Sequence, residues 1–333
     1  MPTSITFTSN SKTTITKALL VPFCAAGMLV LGAASARAAT FTPIVDPTNP
    51  TFTQALGINN AGTVVGYGNP IIYDGFQLTL PAIAANFTRQ NVPGADGGTQ
   101  VIGISGAGFT VGFSVASGVT SGFKDYGNGN STTYYVDTFT QLLGINSNGF
   151  IAVGYSSTDS AGATSQIAFS VDDGGTNTNV NALLPYNYNS QATGVNDAGE
   201  VVGFYQSDDM GHFSAFTDIG GVITSFLAFG SQYTQALGVN NYGDIVGSYV
   251  DGDLITHGFL DRAGIFSVLD VPGSSSTVIN GINDLGQVVG YYIDAGGATI
   301  GAIGEVPEPA TLTLLGAALV ALVGVARPRG FKA

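Results

Sequence analysis

Gly281-Ile282-Asn283-Asp284-Leu285-Gly286-Gln287-Val288-Val289-Gly290-Tyr291-Tyr292 decides the fold, because the chain says nearly the same thing five times before it. The earlier copies begin Gly57-Ile58-Asn59-Asn60, Gly103-Ile104-Ser105-Gly106, Gly144-Ile145-Asn146-Ser147, Gly194-Val195-Asn196-Asp197 and Gly238-Val239-Asn240-Asn241. Each runs on to a short apolar strand closed by Gly and then an aromatic residue or Ser, as in Val64-Val65-Gly66-Tyr67. The first glycines stand 46, 41, 50, 44 and 43 residues apart, which is the spacing of a repeat architecture.

The fifth unit shows what one repeat contains. Residues 235–239 form an apolar strand leading into Asn240-Asn241-Tyr242-Gly243. Asn tolerates left-handed backbone and bonds its own main chain, and Gly supplies positive φ without steric cost, so these four residues predict a tight turn. The turn joins a second, antiparallel strand over 244–249. A third strand is expected over 255–261 and a fourth over 265–271, where Pro272-Gly273 stops it, since Pro cannot donate to a ladder. The third strand carries a small residue followed by Phe: Gly75-Phe76, Gly122-Phe123, Ala168-Phe169, Ala215-Phe216 and Gly258-Phe259. The sixth unit ends after its third strand, 299–303. Residues 41–47 (Phe-Thr-Pro-Ile-Val-Asp-Pro) resemble the fourth strand 266–272 and would supply the missing piece. Four-stranded units of about 45 residues predict propeller blades. The expectation is an all-β, six-bladed β-propeller over 39–304, closed by its N-terminal strand. The alternative is a β-solenoid or repeat sandwich, which would call for polar caps at both ends.

Charge narrows the partners. Between Thr40 and Gly304 the basic residues are Arg89, Lys124 and Arg262, against 20 aspartates and glutamates. Such a surface repels phosphate backbones and excludes nucleic acid. The single cysteine, Cys24, lies in a leader expected to be removed, so no disulfide is expected in the mature protein.

Both ends read as addresses. Lys12 and Lys17, an apolar run over 18–34 and small residues at Ala36 and Ala38 predict a signal peptide, 1–38, cut by signal peptidase after Ala38. A membrane anchor there is the alternative, disfavoured by Pro22 and the Gly and Ser interruptions. At the other end stand Val306-Pro307-Glu308-Pro309, seventeen uncharged residues over 310–326, and the basic residues Arg327, Arg329 and Lys332. This length and flank predict one transmembrane helix with its basic end in the cytoplasm. The tripartite segment 305–333 resembles the PEP-CTERM sorting signal of Gram-negative bacteria, with the motif matched at Pro307, Glu308 and Pro309. The resemblance implies a transient inner-membrane anchor, cutting by an exosortase and release to the cell surface or extracellular matrix. A permanent C-terminal anchor is the alternative. The repeat itself resembles the HAF family of extracellular repeats, although the His of that triplet is present only at His257. That resemblance implies an extracellular repeat protein and brings no activity.

Chemistry is thin. His212 and His257 are the only histidines, and there is no Gly-x-Ser-x-Gly elbow, phosphate loop or His-Glu-x-x-His. Acidic residues recur in turns: Asp172-Asp173, Asp208-Asp209, Asp251 with Asp253, and Asp197 or Asp284 after the repeat Asn. Turn chemistry explains them first. Paired carboxylates are what a polysaccharide-acting enzyme would need, and Asp208, Asp209, Asp251 and Asp253 are candidate calcium ligands. Tyr67, Tyr155, Tyr205, Tyr249 and Tyr291 are read as blade packing, with stacking on sugars as the other reading. No catalytic residue and no cofactor is expected. The expected function is a non-enzymatic surface or biofilm-matrix protein, an adhesin or exopolysaccharide-associated binding module.

Overall fold

In a computed structural model of the chain, the described residues are 39–306, apart from 129, 160, 161, 163–165 and 186–188. They form six four-stranded antiparallel sheets. The chain opens with β1 (Thr40–Ile44). Blade 1 is then β2 (Thr53–Ile58), β3 (Thr63–Gly68), β4 (Asp74–Thr79) and β5 (Phe87–Arg89). Blade 2 is β6 (Gly98–Ile104), β7 (Thr110–Ala116), β8 (Val119–Asp125) and β9 (Ser131–Tyr134). Blade 3 is β10 (Phe139–Ile145), β11 (Ile151–Ser157), β12 (Ile167–Asp172) and β13 (Asn177–Asn179). Blade 4 is β14 (Ser190–Val195), β15 (Val201–Gln206), β16 (Phe213–Ile219) and β17 (Val222–Phe226). Blade 5 is β18 (Thr234–Val239), β19 (Ile245–Val250), β20 (Thr256–Arg262) and β21 (Ile265–Val268). Blade 6 has three consecutive strands, β22 (Ser276–Ile282), β23 (Gln287–Ile293) and β24 (Thr299–Glu305), and its fourth is β1. This is a six-bladed β-propeller closed by its N-terminal strand, as the repeat offset predicts.

Closure is explicit in the register. Thr40 lies opposite Glu305 and Ile44 opposite Gly301. The loop after β1 is then clasped to blade 1, where Arg89 binds the fully buried Asp46 at 2.5 Å and Asp74 at 3.2 Å. Burial alone would raise the Asp46 carboxyl. The Arg89 guanidinium, the Thr48 N–H and the Asn49 amide outweigh that and bring it down to about 2.

The repeat residues divide their work between core and inner ring. Phe76, Phe123, Phe169, Phe216 and Phe259 are the largest fully buried side chains and fill the space between neighbouring blades. The glycine of Val-Val-Gly has a different role. A Cβ on Gly66, Gly112, Gly154, Gly203, Gly247 or Gly290 would lie about 2 Å from the carbonyl oxygen of Gln54, Gln100, Gln141, Gln191, Gln235 or Val278, so no larger residue fits there. The cause is a β-bulge in every inner strand, where one residue is left unpaired: Leu56, Ile102, Leu143, Thr193, Leu237 and Asn280. The outer strands are shorter than the sequence suggests. The fourth strand of blade 5 ends at Val268, not Val271, and that of blade 3 has three residues. They pair on one side only, and a short edge is less open to pairing with other chains.

The sheet reaches one residue past the expected boundary at Gly304, and Val306 packs in the core beneath blade 6. Among the described residues no helix is long and apolar enough to cross a membrane. The expected span 310–326, Pro307, Glu308, Pro309, Arg327, Arg329, Lys332, and Ala36 and Ala38 lie outside the described residues.

Candidate functional site: the channel and its two mouths

The six inner strands line a channel with three levels. The widest is a funnel of about 740 Å³ on the side where each inner strand begins. That falls in the roughly 300–1,000 Å³ range of ligand sites. Its repeat signature is the residue three before the first glycine: Gln54, Gln100, Gln141, Gln191 and Gln235, with Val278 in blade 6. Each faces its cross-strand neighbour: Gln54 opposite Tyr67, Gln100 opposite Phe113, Gln141 opposite Tyr155, Gln191 opposite Phe204 and Val278 opposite Tyr291. Blade 5 pairs Gln235 with Ser248. Gln191 donates to Gln166 at 2.9 Å. The amides of Gln54, Gln100, Gln141 and Gln235 are half-buried and bond no described residue. Tyr73, Phe213 and Tyr233, from loops and strand starts above, complete an aromatic wall. Among the described residues no charged side chain lines the funnel.

Below it the bulge residues narrow the channel to a space of about 70 Å³. Lower still is the mouth formed by the Gly-Ile-Asn turns, with about 60 Å³ of open space. Here four repeat asparagines, Asn59, Asn196, Asn240 and Asn283, have two roles. The Oδ1 of each accepts N–H groups of its own turn, as Asn240 does from Tyr242 and Asp244, both at 3.0 Å. The Nδ2 of each reaches the next blade: Asn196 to Asn240 O at 3.1 Å, Asn240 to Asn283 O at 3.3 Å, Asn283 to Asn59 O at 2.9 Å and Asn59 to Ser105 O at 3.1 Å. Where Ser105 replaces Asn, a backbone bond from Gly106 N to Ser147 O at 2.8 Å makes the step instead. Blade 3 carries one extra turn residue, and there the buried Asn146 Nδ2 bonds no described residue. A second tier repeats the stitching outside. Asn241 bridges Asp197 and Asp284 at 3.1 and 3.0 Å, and Asn60 donates to Asp284 at 2.8 Å. Asp197 and Asp284 are therefore structural links at this mouth.

The other candidates sit outside the channel. Asp208 and Asp251 accept the N–H groups of their own loops, and each also holds a histidine. Asp208 meets His212 at 2.5 Å, and Asp251 meets His257 at 3.1 Å. His257 also binds Asp270 at 2.7 Å and stacks on Tyr249. Burial would lower its pKa, but the hydrogen bonds and charges of Asp270 and Asp251 raise it above the usual imidazole value. Among the described residues no three His, Cys, Asp or Glu side chains converge to hold a metal. Asp172 and Asp173 are at the edge of blade 3, where Asp173 pairs with the buried Lys124. All three body cations are thus committed, since Arg262 binds Asp244 at 3.0 Å.

Of the five tyrosines, Tyr205 and Tyr249 belong to the blade-to-blade cores. Tyr67 and Tyr155 are buried behind the funnel wall, burial pushing Tyr155 up to about 12. Tyr291 alone lines the funnel itself. The glutamine ring is the candidate site that sequence reasoning passed over. Its signal was present, because the Gln recurs three residues before the repeat glycine in five units of six.

No family model and no curated protein matches the chain. Solved structures similar in fold include a β-propeller domain. TolB from Acinetobacter baumannii is 9% identical over 76% of this chain and 64% of its own, with a TM-score of 0.48. The chain thus spans less than two thirds of that protein. The β-propeller domain of the Trilobed protease from Pyrococcus furiosus, which has an open velcro topology, is 9% identical (74% and 94% covered, TM-score 0.44). A mutant of Aleuria aurantia lectin in complex with α-methyl-L-fucoside is 10% identical (82% and 97% covered, TM-score 0.43). These are likenesses of fold.

Proposed function

We propose that this is an exported, exosortase-processed surface or extracellular-matrix protein whose funnel binds a neutral polysaccharide without turning it over. The observation that carries the reading is the lining of the funnel: four amides that bond no described residue stand beside aromatic rings, with no carboxylate, imidazole or cation among the described lining residues. Amide groups match sugar hydroxyls, and aromatic faces match the C–H faces of sugar rings. Hydrolysis by paired carboxylates has no candidate pair there. A polyanion would meet a body whose three cations are all paired within it.

Display is supported by the course of the chain. Thr40 lies opposite Glu305, and the Val306 N–H binds Gly286 O in the stitched mouth. Both ends of the propeller therefore leave from the face opposite the funnel. A span at 310–326 would hold the funnel pointing away from the inner membrane until exosortase acts near Pro307–Pro309.

The exported protein, titrated with neutral exopolysaccharide by calorimetry and assayed for new reducing ends, tests the reading. Saturable binding without new ends is expected. Turnover abolished by a single Asp substitution would replace binding by catalysis. Mass spectrometry of the exported chain tests the processing, and an intact tail ending Arg327–Lys332 would refute it.

A further inference from the structure

Blade 6 breaks the channel's pattern at two adjacent levels. In the funnel ring it places Val278 where the other five blades place Gln. At the bulge it places Asn280 where blades 1, 2, 3 and 5 place Leu56, Ile102, Leu143 and Leu237. Polar and apolar are exchanged. The other polar bulge residue, Thr193, donates its hydroxyl to Ala236 O at 2.8 Å. Asn280 differs, because its Nδ2 is buried and donates to no described residue, although its side chain lines both the funnel and the narrow level below. Tyr291 stands directly across from Val278 on the neighbouring strand, its hydroxyl raised by burial and so neutral at any physiological pH.

Resting on the glycan-binding reading, we propose that blade 6 sets the ligand's orientation and specificity. The innermost sugar residue lays an apolar face against Val278 and the Tyr291 ring, and the Asn280 carboxamide turns out of its closed position to donate Nδ2 to an acceptor oxygen of that sugar. A buried donor with no protein partner discriminates strongly, since a ligand lacking the acceptor leaves it unpaired. Five similar blades alone would offer five similar ways to bind. The break at blade 6 selects one.

The test uses the full exported protein and four probes: linear hexaoses of glucose, galactose, mannose and N-acetylglucosamine. At least one is expected to bind the unaltered protein. Asn280→Leu restores the residue of blades 1, 3 and 5. It is expected to weaken that probe tenfold or more while the melting temperature stays level or rises. Val278→Gln completes the ring of amides, and it should change the order of preference among the probes. If the unaltered protein binds a probe and Asn280→Leu binds it within twofold, blade 6 is not the selector, although the glycan reading stands. A lowered melting temperature with unchanged binding would mark Asn280 as a buried-water site only and overturn the inference. Binding of none of the four would instead defeat the glycan reading itself. Should Asn280→Leu fail to fold, an unchanged order of preference in Val278→Gln overturns the proposal by itself.

Discussion

The two mouths of the channel are built from the same six strands and end in opposite states. At the turn mouth the Asn side chains are consumed, their oxygens capping one turn and most of their nitrogens bonding the next blade. At the funnel mouth the glutamines are equally regular, yet four of the five bond no described residue. Repetition therefore does not distinguish structure from function here. What distinguishes them is whether the repeated polar group is already satisfied by the protein. Buried polar groups are normally paired, so an unpaired ring facing an open cavity is available to a ligand.

Breaking the wall that both mouths share should have the largest effect. Phe216 is fully buried between blades 4 and 3, and Phe216→Ala should cost about 3–5 kcal/mol. Chemical denaturation would read this as a lower midpoint. Loss of stability should come with loss of both mouths, and a loss below about 1 kcal/mol would mean that the blades are held together elsewhere.

The closure clasp tests whether the funnel side contributes any stability. The Asp46 carboxyl falls from 3.8 to about 2 in the folded protein, a difference of about 2 kcal/mol. A depressed carboxylate stabilises fully above its unfolded value. The clasp should therefore hold above about pH 4 and weaken as pH falls toward 2. Asp46→Asn should flatten that part of the acid-unfolding profile. An unchanged profile would show that Asp46 does not titrate in this window.

Substituting one residue at each mouth sharpens the contrast most directly. Asn240→Ala leaves the Tyr242 and Asp244 N–H groups without their acceptor and removes the interblade bond to the Asn283 carbonyl, which keeps the Gly286 N–H, at a cost on the order of 1 kcal/mol or more. Gln235→Leu removes no hydrogen bond to a described residue and should move stability by less than about 0.5 kcal/mol while weakening glycan binding. Equal thermal shifts in the two variants would erase the distinction between the mouths.

The sequence reveals these mouths unequally. The repeat period, the turn glycines and the N-terminal strand that completes blade 6 were all legible, because turn chemistry and strand patterning are local. The turn reading accounts for the Asn Oδ1 and the turn glycines, but not for the Asn Nδ2 or the glycine of Val-Val-Gly. The Nδ2 bonds to the next blade join residues about a full repeat apart, and the Val-Val-Gly glycine is dictated by a carbonyl on the neighbouring strand. Neither can be derived from one unit alone. Tyr67 and Tyr205 look equivalent in sequence but are one place apart in the repeat, which turns them to opposite faces of the strand. The funnel was hidden for the same reason, since the Gln ring exists only after six blades converge.

Beside the funnel, blades 4 and 5 each pair an Asp with a His, and His257 gives a smaller test of the funnel side. Its raised imidazole value means that its contribution is complete below about pH 6.5 and is lost as pH rises through the folded value. His257 is about one-fifth exposed, so solvent screening limits the pair to about 0.2–1 kcal/mol. Proton NMR of His257 should show its titration midpoint falling in Asp270→Asn, with a melting difference that narrows toward alkaline pH. A midpoint that does not move would mean that Asp251 alone holds the ring.

Calcium should have the smallest effect, because of how the same loops spend their oxygens. Asp208 and Asp251 each accept two backbone N–H bonds and contact an imidazole, which leaves little lone-pair capacity for a cation needing six or more oxygens. Among the described residues neither Asp209 nor Asp253 completes a group of three ligands with them. Millimolar calcium is therefore expected to move the melting temperature by less than about 1 °C, as binding to the folded state alone would raise it by mass action. A rise of several degrees, abolished by Asp251→Asn, would show that the loop rearranges to release its carboxylate from His257. The funnel side would then be a surface that calcium orders, and its unpaired amides would have to be assessed in that state.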